Sequence, residues 1–412
     1  MNLAGTTLDA LEREYGDSFY LVDLDAFETN YHEFLRAFRA LYPNTHIAYS
    51  YKANYTPKLC QMVNTWGGYA EVVSRMEYDL ACRVGVAPER IIFNGPYKAP
   101  GDIELALQLG SIVNVDWPYQ VQIVDQIARH FPHRQIVVGI RVTFDLPASR
   151  PSRFGFDADG SELKAVIEHL RGLANVEIAG LHCHFLTPKR STDDYRFITE
   201  RMLRLTAEHF GDTPPRFVNL GGGYFSKMKE ELQTQFGITV PTYEQYAEAI
   251  ATSLAAGYPA GKAPELILEP GIALTADVAR FVTKVIDVHE LGSRKLALVS
   301  GSIYDIKPTL NSRNLPIQVI ARAHADARSI SGSLDIVGYT CMEHDVLFAG
   351  YEGALATGDW VVFDNVGAYT NVLRPPFIRE CSAMLGWSVQ NDAFELLKRK
   401  EVFGDVFNTY TF

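Results

Sequence analysis

Residues 46–54 read HIAYSYKAN, an alternating, strand-like run that ends on Lys52. The segment after it turns at Pro57 into a helical pattern. A lysine ammonium at a strand end, beside aromatic rings and without an obvious carboxylate partner, is expensive to bury as a cation. A desolvated lysine loses its proton easily and can form a Schiff base with a carbonyl. A surface lysine after an edge strand is the alternative interpretation.

Apolar runs like this one recur along the chain, and most are separated by segments of helical periodicity. Eight such βα units predict an α/β fold, a (β/α)8 TIM-type barrel, with a doubly wound open sheet as the alternative. The predicted strands are 46–51, 68–72, 90–93, 112–115, 136–142, 177–183, 216–220 and 265–268. The predicted helices include 57–63, 75–84, 101–108, 117–130, 162–171, 193–209 and 243–256.

The pattern changes after about residue 280, where strands follow one another with little helix between them. The predicted strands are 281–290, 295–299, 317–322, 332–337 and 359–365. Residues 18–23 form another predicted strand that could pair with this C-terminal β domain. Because 412 residues exceed one ordinary core, we expect a barrel over 27–275 and a β-rich domain made of 1–26 and 276–412.

The composition and net charge of the chain argue against several classes of function. Hydrophobic residues make up 47% of the chain and charged residues 21%, as in a globular protein in water. The net charge of -11 argues against a nucleic-acid or anionic-membrane partner. We find no N-terminal signal and no run long enough to span a membrane. The five scattered cysteines lack Cys-x-x-Cys spacing, so we expect reduced thiols in a cytoplasmic protein.

Polar residues occur at or just past the ends of the predicted barrel strands. In a βα barrel these carboxyl ends meet on one face, where active sites are built. This placement favours an active-site role for Lys52 over the surface interpretation. The residues concerned are Lys52, Glu71, Asn94, Asp116, Arg141, His184, Gly221–Gly223 and Glu269.

Two of these positions have specific chemical uses. The glycines of residues 219–224, NLGGGY, let the backbone approach a ligand closely and present N–H groups to a phosphate, although a tight turn needs the same residues. Glu269 could hydrogen-bond a pyridine nitrogen and keep it protonated, which makes the ring a better electron sink. A helix or turn cap is the alternative for Glu269.

Residues 180–185, GLHCHF, place His182 and His184 on one face of a strand. A metal site is the alternative use, but no third ligand has suitable spacing, so we predict no metal. We expect His184 to pack over a cofactor ring and His182 to be a satisfied core histidine.

Two loops in the C-terminal part also carry reactive groups. Residues 341–345, CMEHD, combine a thiol with two carboxylates, which suits acid–base chemistry or substrate binding, with a solvated loop as the alternative. Tyr369 supplies a phenol that could donate to a phosphate, with a packed tyrosine as the alternative.

Taken together, these motifs resemble the pyridoxal-phosphate decarboxylases with an alanine-racemase-like barrel, the fold-type III family that includes diaminopimelate and ornithine decarboxylases. The resemblance covers nearly the whole chain, from residues 19–23 to 367–370. Each motif is short, but their number and order are specific. The motifs are YKAN (51–54), SRFG (152–155), the His184 strand, GGG (221–223), EPG (269–271), Cys341 with Asp345, and GAY (367–369).

The resemblance implies roles for these residues. Lys52 would hold pyridoxal 5'-phosphate as a Schiff base, Glu269 would pair with its ring nitrogen, and His184 would stack on the ring. The residues implied to contact the phosphate are Gly222, Gly223, Thr187 and Tyr369.

The resemblance also implies a head-to-tail homodimer with shared active sites. Cys341, the implied proton donor to the carbon after carbon dioxide leaves, and Asp345 would reach the site of the partner subunit. The residues expected to bind substrate are Arg141, Lys307, Met342, Glu343 and Asp345.

Three positions depart from the family pattern. Ile272 replaces an arginine, so phosphate binding must depend on backbone N–H groups, Thr187 and Tyr369. Met342 replaces an acidic residue that binds the distal amine of the substrate, which disfavours ornithine and lysine unless Glu343 substitutes. Lys307 replaces an arginine and lacks its bidentate fork.

We therefore expect a decarboxylase of an amino acid or an amino-acid conjugate in a specialised pathway, such as siderophore or natural-product synthesis. The alternatives are a diaminopimelate decarboxylase of lysine biosynthesis, an amino-acid racemase on the same barrel, and a non-catalytic regulator that kept the fold.

Overall fold

The computed structural model describes residues 5–147, 152–258, 261–322, 328–389 and 392–412. The chain forms two compact units. The barrel unit comprises Asn30–Phe225 and Val240–Ala273, and the β unit comprises the chain up to Thr29 together with Ser226–Thr239 and Leu274–Phe412. The domain bounds of 27–275 and 276–412 drawn from the sequence stay a prediction.

The barrel unit contains a closed ring of eight parallel strands among the described residues, which confirms the predicted fold class. Neighbouring strands follow chain order, and the last strand closes the ring by pairing with the first, where Leu268 lies opposite Ile47. Each predicted barrel strand is present. The strands are Thr45–Ser50, Tyr69–Val72, Ile91–Phe93, Ile112–Val115, Ile136–Thr143, Val176–His182, Phe217–Asn219 and Glu265–Leu268, with the short Phe156–Asp157 beside the fifth.

Seven of the described helices follow barrel strands with bounds within two residues of those predicted, and Leu24–Arg39, which was not predicted, precedes the first barrel strand. Their starts carry ordinary capping signals: the Ser74 side chain accepts from the Glu77 N–H, and Ser191 and Thr242 form capping boxes. The helices are Leu24–Arg39, Pro57–Thr65, Arg75–Arg83, Pro100–Gln108, Pro118–His130, Ser161–Arg171, Thr192–Phe210 and Tyr243–Gly257.

Apolar side chains from alternate positions of the strands pack together in the barrel unit. Ala48, Ile92, Ala179, Phe217 and Ile267 form one buried cluster. Because strand side chains alternate in direction, the inward positions of short apolar runs converge on such a cluster. This packing holds the strand ends, and the polar residues that follow them, in register.

The β unit contains a mixed sheet of nine strands among its described residues. Ser18–Asp23 lies inside this sheet, antiparallel to Ala279–Leu291 and parallel to Ala383–Ser388, so the predicted pairing of the N-terminal strand is confirmed. The other strands are Arg294–Val299, Ile317–Ile320, Ser329–Val337, Val346–Ala356, Trp360–Phe363 and Ala393–Lys398.

Three of these strands were not predicted from the sequence: Val346–Ala356, Ala383–Ser388 and Ala393–Lys398. Val346–Ala356 contains two glycines and exposes many of its side chains. Its register with Ser329–Val337 also shifts twice. These features weaken the alternation of apolar and polar residues by which a strand is recognised.

The remaining short elements connect these parts. The 3-10 turns are Tyr51–Ala53, Pro88–Arg90 and Ala276–Val278, and the short helices are Gly5–Tyr15, Glu230–Phe236, Ile272–Thr275, Ile303–Ile306 and Phe403–Phe407. Within the ranges that the structure describes, no helix combines the length and the apolarity needed to cross a membrane.

The β unit contains a buried ion pair. The Arg374 guanidinium pairs with the Asp305 carboxylate, and their side chains are only 3% and 1% exposed. Asp305 also accepts from the Ser302 N–H (2.9 Å), and its carbonyl accepts from the Tyr20 hydroxyl (2.7 Å). These contacts join the helix Ile303–Ile306 to the N-terminal strand.

We predict that Asp305→Ala lowers the free energy of unfolding by about 3–5 kcal/mol, because it leaves the Arg374 cation buried without its partner. Asp287 pairs with Arg328 at the surface, and Asp287→Ala should cost no more than about 1 kcal/mol. Urea unfolding of both variants checks this. Equal losses of unfolding free energy in the two variants would show that the buried Asp305–Arg374 pair matters no more for stability than the exposed pair.

Candidate active site

The carboxyl ends of the barrel strands bring together polar side chains that are far apart in the sequence. Lys52 lies two residues after the first strand, Glu71 lies in the second, and Glu269 directly follows the eighth. Direct contacts join them, as the convergence of strand ends in a barrel predicts.

Lys52 lies in the 3-10 turn Tyr51–Ala53 that follows the first barrel strand. Its ammonium forms an ion pair with the fully buried carboxylate of Glu71, while 28% of the lysine side chain is exposed. The expectation that Lys52 has no carboxylate partner is therefore wrong. The partner comes from the neighbouring strand, and a sequence pattern does not show which side chains of adjacent strands face each other.

Hydrogen bonds link Glu71 to Glu269. Ser50 Oγ donates to Glu71 Oε2 (2.6 Å), and Asn94 Nδ2 donates both to Glu71 Oε1 (3.0 Å) and to Glu269 Oε1 (2.8 Å). Asn219 Nδ2 gives Glu269 Oε1 a second bond (2.7 Å). These hydrogen bonds join the side chains into one polar network. Such donors offset the free-energy cost of burying a carboxylate.

Two histidines face the other oxygen of Glu269. His182 Nε2 lies 3.4 Å from Glu269 Oε2, and His184 Nδ1 lies 3.8 Å from the same atom. Burial opposes ionisation of Glu269, but His182 and Lys52 hold its pKa well below the usual range. The site therefore presents a buried, ionised carboxylate, which suits pairing with a protonated ring nitrogen.

The two histidines differ in their own bonding. His182 is buried, as expected, and its Nε2 faces Glu269 Oε2, although neither of its ring nitrogens has full hydrogen-bond geometry to a described residue. His184 Nδ1 accepts from the Gly222 N–H (3.0 Å). Burial lowers the pKa of His184, although Glu269 pulls the other way. His184 is thus a neutral imidazole held by the glycine loop.

The glycine loop needs its glycines for close approach as well as for turning. A Cβ on Gly221 would lie 2.5 Å from the Cys183 carbonyl oxygen, and the backbone there has φ of +66°. A Cβ on Gly222 would lie 2.2 Å from the Glu269 carbonyl oxygen. The loop therefore packs directly on the segment that carries Glu269. Its glycines are needed for the tight turn and for this close packing at the site, so the two interpretations are compatible.

The Thr187 hydroxyl is already engaged within the barrel unit. The hydroxyl donates to Asp194 Oδ2 (2.7 Å) and accepts from the Arg190 N–H (2.9 Å). Asp194 belongs to the capping box of the helix Thr192–Phe210. A phosphate contact by Thr187, which the resemblance implies, must therefore share this hydroxyl with a helix cap.

Arg141 lies within the fifth barrel strand and is paired inside the barrel unit. Its Nη1 lies 3.2 Å from Asp116 Oδ2, and its Nη2 donates to the His184 carbonyl (3.4 Å). The guanidinium also stacks over the Phe154 ring, 4.7 Å from its centroid. Asp116 in turn accepts from the Gly155 N–H. Arg141 is thus held firmly before any substrate binds.

Lys98 is a buried cation that the sequence argument did not find. Its ammonium donates to the carbonyls of Gly95 (2.7 Å) and Asn114 (2.9 Å) and to Gln120 Oε1 (3.1 Å). Burial lowers its pKa to about 7, while Asp116 acts in the opposite direction. Its acceptors are mostly backbone carbonyls, which leave no trace in a sequence pattern.

In the β unit, Asp345 holds the loop that carries Cys341. It is buried, and its oxygens accept from Ser302 Oγ (3.0 Å), the Ile303 N–H (2.7 Å) and the Thr340 N–H (3.0 Å). All three bonds are internal to the β unit. The contacts therefore give Asp345 a part in fixing the loop, in addition to the substrate contact expected from the sequence.

The neighbours of Asp345 face outward in the β unit. Cys341 and Glu343 are exposed, and Met342 is 38% exposed. Lys307 is buried instead: its ammonium donates to the Arg313 carbonyl (2.8 Å), and burial lowers its pKa to about 8. Tyr369 is half-buried with φ of +56°.

No group of three or more His, Cys, Asp or Glu side chains is placed to hold a metal ion in the part of the chain that the structure describes. The barrel site brings together an amine, two carboxylates, two imidazoles and a glycine loop.

A family model described as "Pyridoxal-dependent decarboxylase, pyridoxal binding domain" matches residues 27–276, more than half of the chain. The chain belongs to this family. The decarboxylase is a carboxy-lyase that uses pyridoxal phosphate and acts on an amino acid, which agrees with the predicted enzyme class and cofactor. Membership also favours decarboxylation over racemisation.

Relatives match the decarboxylase along nearly its whole length. Diaminopimelate decarboxylase of Aquifex aeolicus (strain VF5) is 25% identical, with 97% of this chain and 93% of the relative covered. L-glutamyl-[BtrI acyl-carrier protein] decarboxylase of Niallia circulans is 28% identical, with 99% and 97% covered. The crystal structure of diaminopimelate decarboxylase from Helicobacter pylori complexed with L-lysine has a TM-score of 0.83 at 20% identity, with 98% of each chain covered, and shows the shared fold.

The residues of the barrel unit fit pyridoxal phosphate. An amine at Lys52, an ionised and buried carboxylate at Glu269 and a glycine loop with no room for Cβ atoms match an aldehyde, a ring nitrogen and a phosphate. Each of these features is present in the barrel unit by itself.

We predict that the protein with bound cofactor absorbs at about 420 nm and that borohydride removes this band, as expected of a Schiff base between the Lys52 amine and the cofactor aldehyde. Lys52→Ala should lose the band that borohydride removes. Lys164→Ala changes an exposed lysine of the same unit and should keep it. An unchanged band in Lys52→Ala would assign the covalent link to another lysine.

Proposed function

We propose that the chain decarboxylates an amino acid or an amino-acid conjugate in a specialised biosynthetic pathway, such as siderophore or natural-product synthesis. The observation that carries this proposal is Met342. The side chain is exposed on a loop fixed by Asp345, at the position where related enzymes carry an acidic residue for the distal amine. A thioether cannot pair with an ammonium, so a free diamino acid lacks its usual partner there.

The proposed roles of the barrel residues follow from their contacts. Lys52 holds the cofactor, and Glu71 keeps the lysine positioned between turns of the reaction. Glu269, held ionised by its neighbours, pairs with the protonated ring nitrogen, and neutral His184 packs on the ring. When bound, pyridoxal phosphate withdraws electrons from the bond to the departing carboxylate.

Phosphate binding in this proposal uses the backbone of the glycine loop at Gly222 and Gly223, the Thr187 hydroxyl and the Tyr369 phenol. Ile272 supplies no cation at this position. Two neutral hydroxyls and backbone N–H groups can bind a phosphate, since oriented donors form an anion-binding concavity without a formal charge.

Substrate binding and proton delivery are assigned to two sets of residues. Arg141, fixed by Asp116, and Lys307 are proposed to attract substrate carboxylates. In a homodimer with shared sites, Cys341 Sγ of one subunit delivers a proton to the substrate carbon of the other after carbon dioxide leaves. Its exposure on an ordered loop supports this role.

A carrier-bound substrate is one form of conjugate that fits these observations. A relative over 99% of this chain is named for decarboxylating a glutamyl group on an acyl-carrier protein. A glutamyl group has no distal amine, so it does not need the acidic residue that Met342 replaces.

Diaminopimelate decarboxylation is the second candidate. Several relatives carry that name, including one from Aquifex aeolicus that is 25% identical. The expected carboxylate partner for this substrate is Lys307, but Lys307 is buried and already donates to a backbone carbonyl. For either candidate, Lys307 would have to share its ammonium between this carbonyl and a substrate carboxylate.

We predict that carbon dioxide release is faster with an amino-acid conjugate, such as glutamyl-pantetheine or a glutamyl carrier protein, than with free ornithine, lysine or meso-diaminopimelate. The reason is the missing carboxylate at Met342. Measuring release across this panel tests the proposal. Reaction with meso-diaminopimelate alone would contradict it and support the second candidate.

We further predict that Met342→Glu raises kcat/KM for ornithine or lysine by about tenfold or more, since a restored carboxylate can pair with the distal ammonium at roughly 1.4 kcal/mol. Met76 is another exposed methionine, and Met76→Glu should leave kcat/KM unchanged. If both variants behave alike, position 342 does not face the distal group.

A further inference from the structure

Asn94 occupies a central place in the polar network of the barrel unit. It directly follows the third barrel strand, is only 3% exposed, and its N–H donates to the Val72 carbonyl (2.8 Å). This backbone bond extends the pairing of the second and third strands by one residue. The side chain of Asn94 is therefore held at the strand ends, between Glu71 and Glu269.

The hydrogen bonds of the Asn94 amide are almost fully accounted for. Its Nδ2 donates to Glu71 Oε1 (3.0 Å) and to Glu269 Oε1 (2.8 Å), and its Oδ1 accepts from Asn114 Nδ2 (2.7 Å). The opposite orientation of the amide would point its oxygen at two carboxylates and its nitrogen at a donor. The partners therefore fix one orientation.

Contacts around Asn114 place its side chain beside Asn94. A Cβ on Gly139 would lie 1.9 Å from Asn114 Oδ1, so a glycine at 139 leaves room for the amide. The Asn114 carbonyl accepts from the buried ammonium of Lys98. Lys98 thus fixes the backbone of Asn114, and Asn114 presents its Nδ2 to Asn94, while its Oδ1 has no hydrogen-bond partner among the described residues.

The two carboxylates bridged by Asn94 have different partners. Glu71 pairs with Lys52, and Glu269 faces His182 and His184. One amide therefore connects the carboxylate beside the cofactor-binding lysine to the carboxylate proposed for the ring nitrogen. A buried carboxylate that loses a hydrogen-bond donor becomes easier to protonate. Because Glu71 and Glu269 share the Asn94 amide as a donor, a shift of this amide at one carboxylate alters the hydrogen bonding of the other.

We propose that Asn94 is a positioning residue that couples Glu71 to Glu269, so that the lysine side and the ring-nitrogen side of the cofactor site respond together. Asn94 acts through these two carboxylates and does not bind substrate. The proposal requires the family cofactor but not a particular substrate, and its test uses none.

The charged and titratable groups that face the two carboxylates define the background for a pH test. Burial raises the pKa of Glu77, which lies near Glu71, to about 7. Among the described residues, these groups are Lys52, Glu77, Cys183, His182, His184 and Tyr224.

Asn94→Asp provides the sharpest test because it keeps the shape and replaces the donor nitrogen by an oxygen. At low pH the introduced carboxyl group is protonated and can still donate one bond, and two neighbouring carboxylates together with burial favour that protonated form. As the pH rises, the proton is lost and three carboxylates face one another. The apparent dissociation constant for pyridoxal phosphate should then rise by about tenfold or more between pH 6 and pH 9, relative to the native protein.

The matched control is Asn175→Asp. Asn175 is also a partly buried barrel asparagine whose Nδ2 donates to three carbonyls, those of Ala128, Phe131 and Arg134, and it touches none of the site residues. It should lower the melting temperature without adding a pH step to cofactor binding. Equal pH profiles for the two variants would overturn the proposal.

A double-mutant cycle supplies a second measurement that does not depend on Asn94→Asp folding. The effects of Glu71→Gln and Glu269→Gln on cofactor affinity should be non-additive by about fivefold or more in the native background. They should become additive in Asn94→Leu and stay non-additive in Asn175→Leu. Coupling that survives in Asn94→Leu would overturn the proposal.

Discussion

The burial of two carboxylates at the carboxyl ends of the barrel strands is the constraint on which the rest of the site depends. A carboxylate out of water is costly unless donors and cations replace its hydration. Glu71 meets this need through Lys52, Ser50 and Asn94. Glu269 meets it through two amide donors and through His182 and Lys52, which hold its pKa low despite its burial. Much of the polar structure around the site follows from these two groups.

Barrel closure makes such a network available. The strands that carry Lys52 and Glu269 lie at opposite ends of the barrel sequence, yet they are neighbours because the eighth strand pairs with the first. The glycine loop then packs against the Glu269 segment at a distance that excludes a Cβ. Barrel closure therefore places Glu269, and the glycine loop that packs on it, beside the strand that leads to Lys52.

The motif at residues 341–345 in the β unit contains residues whose roles depend on their contacts in the structure. The sequence of residues 341–345 predicts a reactive loop, and Cys341 and Met342 are exposed on this loop in the structure. Asp345, however, is buried with three internal hydrogen bonds, so it also fixes the loop. The sequence could not separate these roles, because a carboxylate that binds a ligand and one that accepts backbone N–H groups look alike in a motif.

The sequence by itself determined the barrel, its eight strands, the N-terminal strand of the β unit and the set of residues at the strand ends. Local periodicity and glycine or proline signals carry that information, since they depend on neighbours along the chain. Only the tertiary structure decided that Lys52 pairs with Glu71, that Asn94 bridges two carboxylates and that Lys98 is buried among carbonyls. These facts depend on the facing of side chains across adjacent strands and on backbone acceptors, and neither is encoded in a local pattern.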